Sequence, residues 1–168
     1  MASKLRVDHI EPVNGIPTGG GGGIIQIKQS ILTAPATNTT SGSWTDTGLS
    51  CAITPQSASN KVFCMVSLGS ISATAGTSTG FRLVRGSTDI GMPDSTALQS
   101  GFTNIYDADQ QILASANFNY LDSPATTSAT TYKITWRNSG STTYLGRYNG
   151  SSTDYNGSST LILMEVSG

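Results

Sequence analysis

Three stretches of this chain of 168 residues carry side chains whose types and spacing could do chemistry. The first, Gly76-Thr77-Ser78-Thr79-Gly80, spells the G-x-S-x-G string of serine hydrolases. A nucleophile elbow needs a strand before the serine and a helix after it. Here a Thr/Ala/Gly stretch precedes and the strand-like FRLVR follows. The serine would also need an imidazole base, and the single histidine, His9, lies far off near the N-terminus. His9 has no cysteine or carboxylate partners at ligand spacing, so it reads as a surface or packing residue, not a zinc ligand.

The second stretch is acidic. Asp107 and Asp109, with Asp122 or Asp154, could share a hard cation. Such a cation wants six or more oxygens on a glycine-turned loop, and the DAD segment lacks that pattern, so it reads as a solvated loop. A polysaccharide-cleaving enzyme needs two carboxylates facing each other across a groove. Two aspartates two positions apart are poor candidates for that role. The expectation is no catalytic residue, no metal and no cofactor, with a polysaccharide depolymerase as the alternative of another class.

The third stretch is aromatic. Tyr144, Tyr148 and Tyr155, with Arg147 and Asp154, flank the Gly/Asn/Ser loop NGSSTDYNGS. Aromatic rings beside planar polar groups suit recognition of a sugar or a protein surface, which makes these five the candidate receptor-binding residues. A second reading stays open: Tyr144 and Tyr148 are four positions apart, fall on one face of a strand, and pack between subunits. Asn38, Asn149 and Asn156 each begin a glycosylation triplet, incidental in a chain whose opening lacks the apolar region of a secretory signal.

Composition narrows the function classes. Nine basic and ten acidic residues leave a net charge of −1, and charged residues make up only 11% of the chain, against roughly 25% in ordinary soluble domains. Polarity comes instead from 24 serines and 23 threonines. A neutral, hydroxyl-rich surface lacks the basic footprint of a nucleic-acid partner. No apolar run approaches the ~18 residues of a membrane span. Cys51 and Cys64 read as buried free thiols, with a bridge between neighbouring strands as the alternative.

The elements that must position these residues are strands. Ile24–Leu32, Trp44–Ile53, Lys61–Ile71, Phe81–Arg85, Ile90–Met92, Gln110–Tyr120, Thr131–Trp136, Thr143–Tyr148 and Thr160–Val166 carry strand patterns. They are separated by Ser/Thr/Gly/Asn stretches expected as loops at 33–43, 72–80, 93–109, 121–130 and 149–159. In Thr131–Trp136 the residues Tyr132, Ile134 and Trp136 share one face. Short, closely spaced strands with no amphipathic helix predict an all-β sandwich or jelly roll over 24–168. Residues 1–18 differ. Leu5, Val7, Ile10, Val13 and Ile16 are apolar, but Pro12, Gly15 and Pro17 forbid a lasting helix. The segment reads as an extended arm docking on another chain, or as a frayed terminus. Gly19–Gly23 joins it to the sandwich as a flexible linker. It is not a phosphate loop, since neither Lys-Ser/Thr nor a helix follows.

One strand stands out. In Leu161–Val166 all residues but Glu165 are apolar, whereas a half-buried strand alternates. It expects cover on both faces: the core on one side and a second copy of the chain on the other.

Several phrases resemble a known family. LRVDHIEPVNGIPTGGGGGIIQI is similar to the N-termini of fibre-like virion proteins of tailed phages, especially those of marine cyanobacteria. WTDTGLSCAITPQSASNKVF, GFRLVRGSTDIG, YLDSPATTSATTYKI and SSTLILMEVSG resemble the recurrent text of small phage fibre and decoration domains. The resemblance implies a homotrimeric jelly-roll head, similar in outline to the tumour-necrosis-factor-like fold. Leu5, Val7, Ile10, Val13 and Ile16 would then anchor it to tail, baseplate or capsid proteins, and Leu161, Leu163, Met164 and Val166 would form the trimer interface. It further implies residence in the virion, assembled in the host cytoplasm, as a short tail fibre or knob contacting a host surface glycan or protein. The alternative is a capsid decoration (cement) or capsid-vertex fibre protein. No long shaft of repeats or heptads accompanies the head.

Overall fold

A computed structural model describes residues 23–94, 97–109, 112–150 and 155–168. The arm at 1–18, four of the five linker glycines and Asp154 lie outside the described residues. Eleven strands follow one another: β1 (Ile24–Leu32), β2 (Ala36–Asn38), β3 (Thr45–Ile53), β4 (Lys61–Ala73), β5 (Thr77–Arg85), β6 (Thr88–Ile90), β7 (Thr103–Asp107), β8 (Ala114–Asp122), β9 (Thr130–Asn138), β10 (Thr143–Leu145) and β11 (Ser159–Val166). None of the described residues is helical.

The strands form two antiparallel sheets packed as a β-sandwich. In the first, β11 lies between β1 and β4, β8 pairs with β4, and β10 and β2 run on beside the far end of β4. In the second, β9 lies between β3 and β5, and β5 also pairs with β6 and β7. The main pairings are nested: β5 with β7, β4 with β8, β3 with β9, and β1 with β11.

Alternation explains the core. Leu49, Cys51 and Ile53 of β3, Tyr132, Ile134 and Trp136 of β9, and Phe81 and Leu83 of β5 point inward from one sheet. Val62, Cys64, Val66, Leu68, Leu161 and Leu163 meet them from the other. Cys51 and Cys64 are both buried and both free. Burial raises both thiol pKa values, Cys64 to about 12. Aromatic rings link the sheets: Trp136 and Phe81 lie 6.2 Å apart, Phe102 follows Phe81 at 6.5 Å, and Phe118 stacks on Phe102 at 4.8 Å.

Four sequence expectations are corrected. Residues 72–80 are not a long loop: only Thr74–Gly76 separate β4 from β5, and Gly76 turns at φ +72°. Threonine is a good strand former, and here its inward hydroxyls are satisfied, Thr79 with Thr143 at 2.6 Å and Thr77 with the half-buried Thr74 at 3.1 Å. The expected loops at 33–43 and 93–109 likewise contain β2 and β7. At β10 the strand stops at Leu145, because Gly146 adopts φ +83°.

The final strand also departs from expectation. β11 alternates strictly in burial. Leu161 and Leu163 are fully buried against the opposite sheet of their own chain, so they belong to the intrachain core and not to an intersubunit face. Thr160, Ile162, Met164 and Val166 occupy the outer face, half-buried. The run fails to alternate in polarity because both faces carry apolar side chains, while its one charge, Glu165, points inward and is fully buried.

Candidate functional site

The registers align an apolar band across the outer face of the first sheet. Leu121 of β8 lies opposite Phe63 of β4, Phe63 opposite Met164 of β11, and Met164 opposite Ile27 of β1. Four strands thus contribute one large apolar side chain each to a single row. Val166 and Ile24 pair beside it. On the other flank the next row reads Asn119, Met65, Ile162, Gln29, and the third reads Asn117, Ser67, Thr160, Ile31. Ile24 and Ile27 are each 56% exposed and Leu121 47%; contiguous exposed apolar surface is the kind that interaction sites use. An open depression of about 290 Å³ lies in the second and third rows, lined by Met65, Ser67, Asn117, Asn119, Thr160 and Ile162.

The outer face of the second sheet is different in kind. Lys133 pairs with Asp46 at 2.9 Å, and Arg82 pairs with Asp89 at 2.6 Å while its guanidinium stacks over Trp44 at 3.7 Å. Among the described residues one outer face carries ion pairs, and the other carries a row of apolar side chains.

Four of the five predicted receptor residues fall into two pairs, Asp154 lying outside the described residues. The Arg147 guanidinium lies over the Tyr144 ring at 4.1 Å, and Tyr148 meets Tyr155 edge-on at 5.8 Å. Tyr144 and Tyr148 do not share a strand face, since β10 ends between them. The Arg147 carbonyl accepts the Ser72 hydroxyl at 3.0 Å, which fastens this turn to β4. Tyr155 is 68% exposed at φ +58°.

The carboxylates have structural work. Asp107 is buried and accepts the Ala73 N–H, while Asp109 is exposed. Asp122 accepts from Arg85 at 2.7 and 2.8 Å and from the Tyr132 hydroxyl at 2.6 Å, clamping β8 to β5 and β9 across the sandwich. Glu165 accepts from Gln26 Nε2, Asn60 Nδ2 and the Gln56 N–H, each at 2.6 Å. Burial alone would raise its pKa; these bonds outweigh it and hold the carboxyl below its usual value. Among the described residues no three metal-ligating side chains converge. Ser78 lies on β5, its hydroxyl donating to Gln99 Oε1 at 2.6 Å and lying 2.9 Å from Ser139 Oγ, which can donate in turn.

Sequence reasoning singled out Met164 and Val166, as trimer-interface residues, but not Ile27, Phe63, Met65 and Leu121, which the registers place beside them. Each sits in an otherwise ordinary strand, and only the register reveals that they form one band. Neither the protein-family models nor the curated proteins gave a match to the chain.

Proposed function

We propose that this chain is a structural protein of a tailed-phage virion, a short homotrimeric fibre or knob attached by its N-terminal arm, with its head contacting the host surface. The observation that carries the reading is the row Leu121, Phe63, Met164 and Ile27, its ends exposed and its middle half-buried among the described residues. A sheet face so composed is covered in the working assembly, and sister copies supply the cover. Met164 and Val166 keep their interface role, joined by Ile27, Phe63 and Leu121. The nested pairing of β1 with β11, β3 with β9, β4 with β8 and β5 with β7 supports a jelly-roll topology in tumour-necrosis-factor-like outline. The neutral charge balance supports close packing of identical copies without self-repulsion. Three weak sites on one rigid head gain roughly 10²–10⁴ in avidity by multivalency alone.

Light scattering on the purified full chain tests the assembly: three times the 17.4 kDa subunit mass is expected, and a stable monomer at working concentration overturns it. Labelling this chain on intact particles tests the location. Signal at the tail is expected, signal at the capsid means a decoration or vertex-fibre role, and absence from the particle removes the virion assignment.

A further inference from the structure

On the outer face of the second sheet, residues 97–102 form a strap across β5 at Gly80, where an added Cβ would come within 2.9 Å of the Gln99 carbonyl and 2.7 Å of Asn104 Oδ1. Two outward arginines donate to the strap: Arg82 Nε to the Ser100 carbonyl at 2.7 Å, and Arg137 Nη1 to the Leu98 carbonyl at 2.6 Å. Their charges are treated differently. Arg82 is neutralised by Asp89 and stacked on Trp44. Arg137 has no acidic partner among the described residues, although the carbonyl bond fixes its guanidinium.

Arg137 lines an open pocket of about 500 Å³ with Gly42, Leu98, Gln99 and Ser139. Leu98 is 77% exposed at its rim. Ser139 and Gln99 are held in place through Ser78, whose hydroxyl donates to Gln99 Oε1 and lies at hydrogen-bond distance from the Ser139 hydroxyl. A fixed guanidinium fork matches a carboxylate in two-point geometry. Hydroxyl and amide groups beside it suit a polyol, and an exposed leucine suits the C–H face of a sugar ring.

We propose that this pocket binds an acidic saccharide, with Arg137 taking the carboxylate of a uronic acid unit and Ser139 and Gln99 its hydroxyls. The site is on the opposite sheet from the apolar band and holds whether or not the chain is a virion protein. A shallow site with one charged anchor should bind in the range of about 1–10 mM.

The test is an amide and arginine-Nε NMR titration of the full chain with a galacturonic acid trisaccharide, its neutral galactose counterpart, and sodium sulfate. Saturable shifts confined to Gly42, Leu98, Gln99, Arg137 and Ser139 are expected with the uronic acid probe. They should disappear in Arg137→Gln and weaken at least threefold in Arg137→Lys, which keeps the charge but not the fork. Unchanged shifts elsewhere in the spectrum report that each variant is folded. No saturable shifts, equal shifts with the neutral sugar or with sulfate, or full retention in Arg137→Gln overturn the proposal. The light-scattering mass is read separately, so failure here and failure of the trimer are distinguishable.

Discussion

The Tyr132 hydroxyl donates to Asp122 Oδ2 at 2.6 Å, joining the middle of one sheet to the end of a strand in the other. Burial first, then this bond, raises the phenol pKa well above its usual 10.0. The folded chain therefore keeps a proton that the unfolded chain releases near pH 10, so this contribution is complete below that pH and is lost as pH rises. Tyr132→Phe should lower the unfolding free energy by about 1–3 kcal/mol at neutral pH. Chemical denaturation along a pH series should show the gap between wild type and variant narrowing above pH 10.

Glu165 gives the opposite pH signature. Its folded pKa lies below the unfolded value of 4.5. Its stabilisation is present above that value and is lost as pH falls through the folded pKa. Glu165→Gln puts an amide among three donors and should cost about 2–4 kcal/mol at pH 7, given charge-assisted bonds of roughly 1.5–3 kcal/mol each and partial rearrangement. Unfolding curves at pH 7 and pH 3 check this, with a smaller gap at pH 3.

The two faces of β11 are separable by mutation. Leu163→Ala removes a core side chain and should destabilise the fold by about 2–5 kcal/mol. Met164→Asp, one residue on, leaves the core intact and places a charge in the apolar band. Light scattering should then report a loss of mass to the single subunit, while circular dichroism remains that of the folded sandwich.

Gly91 turns at φ +61°, and a Cβ there would stand 2.7 Å from Phe118 Cζ and 3.0 Å from Tyr120 Cδ2. Gly91→Ala should cost about 1–3 kcal/mol through backbone strain and displacement of the stacked rings. A thermal melt with near-ultraviolet dichroism would register both the lower midpoint and the disturbed aromatics.

Strand placement was legible wherever apolar side chains recur with period two. β1 falls on Ile24–Leu32 as the pattern requires, and Tyr132, Ile134 and Trp136 share the buried face their spacing implies. The start of β5 was hidden because the inward hydroxyls of Thr77 and Thr79 look like loop polarity until their hydrogen-bond partners are known, and β2 because it is three residues long with Asn38 as its buried side chain. The inward direction of Leu161 and Leu163 was equally hidden, since a run apolar on both faces gives no phase. The apolar band and the Arg137 pocket arise from register between strands distant in sequence, and neither leaves a local signal. Glu165 had a faint one: a lone charge inside an apolar strand needs several donors, here supplied by Gln26, Gln56 and Asn60.

The nested pairing sets an order of events during folding. The innermost partners, such as Phe81 and Thr103, close a short loop, whereas Leu32 must find Ser159 across most of the chain. Loop-closure entropy rises with span, and topologies rich in distant contacts fold in milliseconds to seconds rather than microseconds. The sandwich is therefore expected to zip from β5 and β7 outward, with β1 and β11 docking late. The apolar band, to which those two strands contribute Ile27 and Met164, is then completed only after the core has closed, so assembly through it in the proposed trimer would have to follow the folding of each subunit.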